Sequence, residues 1–395
     1  MRILLLHNNY GKFSGEESVL EAERSLLEKH GNEVRLYSRS SEEIHGFWSK
    51  VNAYFSAFYN YRSIIEIKKI LLSFKPDIVH IHNLYPFISP TNLVNIRRHH
   101  IPIVMTVHNY RLICPNGLFF TNGKICESCA GGKEWNCIIK NCEGSFAKSS
   151  GYALRNFYAR KRKLYSSNVN RFICLTNFQK GKLIENGFNE KIVTVIPNYL
   201  DTKLAKDKVI TANSYIAFSG RVNNQKGFDL IIDAMNLLEA KYPDNKILPL
   251  FAAGQLDSVF INQFKIPGSI HFQGILPKEE MDNYYRNARF LVFCSRSYEG
   301  APMVFLEAMK HHLPIIAPRL GAYPEMIEDG INGLLFCPED PVDLADKINI
   351  LMSNEELCFR LGENGHRKLT ERYSPEIHYE QLFSLYNQVI EETSL

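Results

Sequence analysis

Residues 2–7 hold a continuous apolar run, the pattern of a strand buried on both faces. A loop over Asn8–Ser14 follows, and apolar residues then recur at helical spacing from Gly15 to about His30. Val34–Tyr37, Ile78–Ile81 and Ile103–Val107 repeat the strand pattern, with helical segments between them. Such alternation predicts a parallel sheet with helices on both faces. An irregular polar stretch over 198–213 interrupts it. The pattern then restarts: Tyr215–Ser219, Ile247–Ala253, Ile270–Phe272, Phe290–Phe293 and Ile315–Ala317 read as strands, and Gly227 to about Ala240 as a helix. The predicted class is α/β, with one Rossmann-like doubly wound domain over 1–204 and another over 205–374. The closing segment, 375–395, carries Tyr379, Leu382, Leu385, Tyr386 and Val389 at helical spacing and reads as one helix. Doubly wound sheets bind ligands beyond the carboxyl ends of their strands. Two such domains facing each other would leave a cleft, so chemistry is expected in the loops that follow strands.

Composition narrows the class. A chain of 395 residues exceeds one typical core. Hydrophobic residues at 45% and charged residues at 22% match a globular protein handled by water. A net charge of +4 suits an acidic small-molecule substrate or an anionic membrane surface, and falls short of the concentrated charge of a nucleic-acid binder. The opening Met1-Arg2-Ile3-Leu4-Leu5-Leu6-His7 is too short for a signal peptide and lacks a small-residue cleavage site. No run of about 18 apolar residues offers a membrane span. The expected compartment is the cytoplasm. Nine cysteines there argue for thiols or metal rather than disulfides, and five of them fall between Cys114 and Cys142.

The strongest chemical signal is Ser297-Tyr298-Glu299-Gly300-Ala301-Pro302-Met303-Val304-Phe305-Leu306-Glu307, directly after a predicted strand. On one helix, eight positions make a little over two turns, so both glutamates would point the same way. Gly300 and Pro302 mark a turn and a helix start, whose free amides make an electropositive pocket. Carboxylates accept hydrogen bonds from sugar or ribose hydroxyls. The bland alternative is two solvated glutamates on a surface helix. The second signal is Ser219-Gly220-Arg221-Val222-Asn223-Asn224-Gln225-Lys226-Gly227, again after a strand and opening a helix. Its glycines allow close backbone approach, and Arg221 and Lys226 put two cations on one loop suited to a diphosphate.

The first segment resembles the E-x7-E motif of retaining, family-4-type GT-B glycosyltransferases of bacterial surface polysaccharide assembly. The run from Pro314 to Leu335 is similar to the same enzymes, and Ser219–Gly227 to their diphosphate-binding element. The resemblance implies that Glu299 faces the donor sugar and Glu307 the nucleotide ribose. It puts Gly300, Ala301, Pro302, Met303 and Val304 at the donor, with the amides of 300–303 on sugar hydroxyls. Arg221 and Lys226 would stabilise the leaving nucleoside diphosphate, a role that needs no cofactor or divalent metal. It also implies a C-terminal helix that crosses back to the first domain.

Other positions carry weaker signals. Gly220 belongs to the diphosphate loop; Gly254 and Ile275 follow strands and are either base-contacting backbone or plain turns. Ser14 and Gly15 resemble the family's glycine-rich loop with one glycine replaced. His108, ending a strand beside Asn109, is either a donor-sugar contact or a structural histidine. His82 and Asn83 match the acceptor side. The insertion over 111–143 is short of apolar residues and rich in cysteine. Cys114, Cys126, Cys129 and Cys142 are candidate ligands of one structural zinc, with Cys137 spare; the alternative is reduced thiols in a loop. Two stretches suit an anionic membrane face or simply a solvated one: the basic, aromatic segment from Phe146 to Lys163, and Phe47, Trp48, Tyr54, Phe55, Phe58, Tyr59 and Tyr61.

The resulting expectation is a cytoplasmic glycosyltransferase, possessing a peripheral contact with the inner membrane leaflet. It would move a sugar from a nucleoside-diphosphate sugar to a saccharide or lipid-linked saccharide with retention, in capsule, exopolysaccharide or lipopolysaccharide O-antigen synthesis. Its rivals are a non-catalytic sugar-nucleotide-binding partner of a polysaccharide complex and a GT-B enzyme acting on a soluble acceptor.

Overall fold

The computed structural model describes residues 1–9, 15–41, 46, 54–56, 58–202, 215–242 and 247–394. It divides into two compact units. Unit 1 comprises Met1–Phe119, Cys126–Asn198 and Pro375–Leu395; unit 2 comprises Phe120–Ile125 and Tyr199–Ser374. The division falls at 198/199, where the sequence suggested 204/205. The hairpin β5 (Phe120–Thr121) and β6 (Lys124–Ile125) belongs with unit 2 although its flanks belong to unit 1.

Unit 1 is built on β1 (Arg2–Asn9), β2 (Glu33–Ser40), β3 (Ile78–Ile81), β4 (Ile103–Val107), β7 (Arg171–Cys174) and β8 (Val193–Val195). They lie in the order β2-β1-β3-β4-β7-β8, all parallel. Ile3, Leu5, Ile78, Val104 and Ile173 form its core with Leu20 and Leu27 of helix Gly15–Lys29. Leu382, Leu385, Tyr386 and Val389 of helix Pro375–Ser394 complete that core, so the last helix returns to unit 1 as expected.

Unit 2 is built on β9 (Tyr215–Ser219), β10 (Leu250–Ala253), β11 (Ile270–Gly274), β12 (Ala288–Val292), β13 (Ile315–Pro318) and β14 (Gly333–Phe336), in the order β11-β10-β9-β12-β13-β14. Strand alternation feeds two cores, one per face. Ile216 and Phe218 pack with helices Phe228–Lys241 and Pro341–Ser353, and Tyr215 and Ala217 with helices Lys278–Asn287 and Met303–Lys310. The strand order reverses between β9 and β12, and between β1 and β3 in unit 1. Open α/β sheets place ligands at such reversals. Among the described residues no helix is long and apolar enough to cross a membrane.

Three loops of unit 2 are held at backbone contact. A Cβ on Gly254, just after β10, would lie 1.9 Å from the Gly220 carbonyl oxygen, at φ +143°. A Cβ on Gly227 would lie 2.1 Å from the Cys294 carbonyl oxygen, at φ +64°. Gly254→Ala should therefore cost at least about 2 kcal/mol from strain and overlap, lowering Tm by about 4 °C or more. Gly268→Ala, whose nearest neighbour would be a side-chain oxygen at 4.0 Å, should leave Tm nearly unchanged. Equal shifts in the two variants, measured by calorimetry, would show that the contact is not tight.

Candidate active site

The loop after β9 turns at Gly220, with φ +147°, and closes where Gly227 caps helix Phe228–Lys241. Inside it, Asn223 Oδ1 accepts from the Lys226 amide at 3.0 Å, and Arg221 Nη2 reaches Gln225 Oε1 at 3.3 Å. The loop after β12 runs alongside. Gln225 Nε2 donates to Ser297 Oγ at 3.1 Å, and the Arg296 amide donates to the Gln225 carbonyl at 3.0 Å. The two loops meet most directly where Lys226 Nζ lies 2.6 Å from Glu299 Oε1, with both side chains about one-fifth exposed (19% and 23%).

The two glutamates do not share a helix. Glu299 stands in the loop, while Gly300-Ala301-Pro302 carries the chain into helix Met303–Lys310, on which Glu307 sits. The helical reading of their spacing is therefore corrected: Pro302 at ψ 118° is extended backbone and starts the helix anew. Glu307 Oε2 accepts from the Tyr285 hydroxyl at 2.7 Å, and burial pushes the Glu307 carboxyl up. The Tyr285 hydroxyl also interacts with the Ser219 side chain at the end of β9. Gly254 sits on the Gly220 carbonyl, whereas Ile275 is 76% exposed after β11. Ser14 lies outside the described residues, and Gly15 begins helix Gly15–Lys29.

In unit 1 the strand ends gather imidazoles around one buried acid. Glu23 Oε1 lies 2.9 Å from His80 Nδ1 and 3.3 Å from His82 Nε2, and Glu23 Oε2 lies 3.6 Å from His378 Nε2. Burial works against the Glu23 carboxylate, but the surrounding histidines hold it ionised, well below its usual range. Glu23, His80 and His82 are also the one group among the described residues with three metal-ligand atoms within 4.8 Å of one another. The His80 Nδ1 that would ligate is already met by the Tyr386 hydroxyl at 2.6 Å, so the arrangement is that of an acid–imidazole cluster. His82 Nδ1 and His108 Nε2 share one hydrogen bond at 2.9 Å, so one of these two nitrogens carries the proton and the other accepts it. Asn109 donates to Glu16 Oε1 at 2.9 Å. Asn83 uses its amide within the fold, donating to the Asn8 carbonyl and accepting from the Tyr85 amide, so the expectation of an acceptor-facing Asn83 side chain is corrected.

The cysteines chosen from spacing do not converge. Cys126 accepts from Lys140 Nζ at 3.1 Å and contacts Ser128 Oγ, apart from the others. Cys137, read as spare, instead packs with Cys129, Cys142 and Ala153. The basic and aromatic stretches touch where Phe58 is edge-on to Tyr158 at 5.7 Å. Phe146, Leu154, Phe157, Tyr59 and Tyr61 are exposed, and so are Lys148, Lys161 and Arg160, the last paired with Glu134 at 2.6 Å. Arg155 is not among them: it is buried, donates to the Pro115 carbonyl at 3.0 Å and stacks on Tyr85. Phe47 and Trp48 lie outside the described residues.

Comparison with known proteins decides the family. The sequence model for group 1 glycosyl transferases matches residues 201–368, and that for glycosyltransferase family 4 matches 13–204. The chain belongs to the group 1 glycosyltransferases of the GT-B fold. A glycosyltransferase of Methanocaldococcus jannaschii is 32% identical over 59% of this chain and 62% of its own length. CapM of Staphylococcus aureus, a capsular polysaccharide biosynthesis glycosyltransferase, is 24% identical over 59% of this chain and 60% of its own. The chain thus spans about three-fifths of the length of these relatives. The crystal structure of Anabaena HepE in complex with UDP superposes with a TM-score of 0.68 at 16% identity, covering 98% of this chain and 100% of that one.

For a glycosyltransferase of this family, several residues of the site were not anticipated. Arg296 forms a fork on Asp229 at 2.6 and 2.7 Å, reaches Glu339 at 2.8 Å and donates to the Asn224 carbonyl, bolting the two donor loops together. Tyr285, Glu23 and His378 were equally silent. The available signal was an arginine in the loop just after a strand, and polar residues at apolar positions of helices.

Burial and neighbouring imidazoles lower His108 to about 4 and His7 to about 3, with His82 lowered as well, while Glu16 and Glu23 pull the other way on His108. Below pH 6.5 the unfolded chain takes up protons that these rings refuse, so the unfolded state binds more protons and stability falls as pH falls from 6.5 toward 4. Each such ring contributes a slope of about 1.4 kcal/mol per pH unit. In denaturant melts across this window, His108→Asn should flatten the slope by about one ring's worth; an unchanged slope would mean that His108 titrates normally.

Proposed function

We propose that this glycosyltransferase transfers a sugar from a nucleoside-diphosphate sugar to a saccharide acceptor with retention, in surface polysaccharide synthesis. The observation that carries the reading is the Lys226–Glu299 contact at the strand-order reversal of unit 2, next to the helix N-terminus capped at Gly227. A diphosphate suits that place: free amides, Arg221 and Lys226 supply positive charge as the glycosidic oxygen leaves with the electron pair. Glu307 offers acceptor oxygens to ribose hydroxyls, and Glu299, once parted from Lys226, to the donor sugar. His108, whose Nε2 is taken by His82, has its Nδ1 left to meet a sugar hydroxyl. UDP is the first nucleotide to try, since HepE was crystallised with it, and the polysaccharide assignment leans on CapM. The acceptor we favour is lipid-linked, because the basic, aromatic face on helix Phe146–Lys161 suits an anionic leaflet and a cytoplasmic, peripheral placement.

With no donor bound, Lys226 is neutralised by Glu299. A phosphate must take the lysine from the carboxylate. Glu299→Gln should therefore tighten UDP binding by about two- to fivefold, the range of a partly exposed ion pair, while lowering sugar transfer at least tenfold, on the order expected for a lost transition-state contact. Lys226→Ala should weaken both. Calorimetric titration with UDP and a radiolabelled transfer assay measure the two arms. Weaker UDP binding in Glu299→Gln would remove the competition, and UDP binding without transfer from any UDP-sugar would favour the non-catalytic reading.

The surface is tested separately. Binding to phosphatidylglycerol vesicles should fall with added salt and drop several-fold in Phe146→Ser/Phe157→Ser, with zwitterionic vesicles unbound. Equal binding to both vesicle types would overturn the membrane contact.

A further inference from the structure

The thiols of the insertion fall into two pairs on one side of a small core. Cys129 and Cys137 are buried together with Ala153, and Cys142 packs against them. Cys114 is buried and linked to Cys129, as Cys142 is to Cys137. Cys114 opens a Pro115-Asn116-Gly117 turn: the Gly117 amide closes on the Cys114 carbonyl at 2.8 Å, and the Cys114 thiol donates to Asn116 Oδ1 at 2.9 Å.

We infer that Cys114, Cys129, Cys137 and Cys142 bind one zinc ion as a four-thiolate structural site, with Cys126 left outside it. Zinc takes four thiolates tetrahedrally at about 2.3 Å, with sulfurs about 3.8 Å apart. No three of these sulfurs already lie within 4.8 Å of one another, so the ion would draw the two pairs together. Two disulfides, Cys114–Cys129 and Cys137–Cys142, are the rival arrangement. Cys126 speaks against it. Its sulfur lies 3.1 Å from Lys140 Nζ, and a free thiol close in sequence to a disulfide would exchange with it.

The test is metal content of the full chain purified under reducing conditions without chelator. About one zinc per chain is expected by mass spectrometry of the metal, retained in Cys126→Ser and lost in Cys137→Ser. Because Cys137→Ser could fail to fold, the natural chain is also stripped of zinc and titrated with Co2+. One equivalent should give the intense visible d–d bands and near-ultraviolet thiolate charge transfer of tetrahedral cobalt–sulfur coordination. Cys126→Ser should give the same spectrum. Retention of zinc in Cys137→Ser with loss in Cys126→Ser would overturn the ligand set. Absence of both zinc and a cobalt spectrum, or two disulfides in the non-reduced mass map, would overturn the site.

Discussion

Backbone contact at the carboxyl ends of β9, β10 and β12 is the constraint on which the candidate site of unit 2 rests. Gly254 lies against the Gly220 carbonyl and Gly227 against the Cys294 carbonyl, so no side chain separates the loops. Loops held this way have little freedom, and the side chains between the two contacts inherit it. That is why Lys226 and Glu299 meet at 2.6 Å although 73 residues separate them. Arg296 adds a polar bolt at the same place. Its fork on Asp229 fixes the start of helix Phe228–Lys241, while its bond to the Asn224 carbonyl fixes the loop that precedes it. Positioning of this kind is what electrostatic stabilisation requires, since groups aimed in advance need not reorganise when charge develops.

Unit 1 solves a different problem. Glu23 is a buried carboxylate, and a buried charge is tolerated only with partners. Those partners come from β3, through His80 and His82, and from the last helix, through His378 and the Tyr386 hydroxyl that touches His80. The final helix therefore docks for two reasons, apolar burial of Leu382 and Val389 and completion of a charge cluster. The same cluster reaches the end of β4 through the His82–His108 contact, which turns Nε2 of His108 toward His82.

Much of this was legible in the chain. Long apolar runs such as β1, β4 and β9 announce themselves, because a strand buried on both faces has no polar position to spare. β7, β8 and β14 escaped, being three or four residues long with too little pattern to separate from a loop. Glu299, Lys226 and Arg221, singled out from post-strand loops, do stand on two adjoining loops. The geometry of the two glutamates was not legible: eight positions of spacing suggested one helix, and Pro302 broke it. The cysteine spacing favoured the adjacent Cys126-x2-Cys129 pair, but Lys140, fourteen residues on, takes Cys126 aside. Arg155 counted toward a basic face and is buried on Tyr85. For Cys126 and Arg155 the deciding partner lies well along the chain, where local pattern holds no information about it.

The Lys226–Glu299 pair bears on more than affinity. The lysine occupies one oxygen of the carboxylate and fixes its direction, leaving the second oxygen as an acceptor. On the proposed reading, a diphosphate that takes the lysine releases Oε1 as well, so the phosphate contact widens what Glu299 can offer the donor sugar. A neutral sugar brings no charge to compete for Lys226 and leaves the pair closed. Binding energy from the diphosphate, the leaving group of the donor, is thereby spent on setting the group that faces the reacting carbon. That coupling follows from one contact of 2.6 Å between two loops which backbone packing does not allow to move apart.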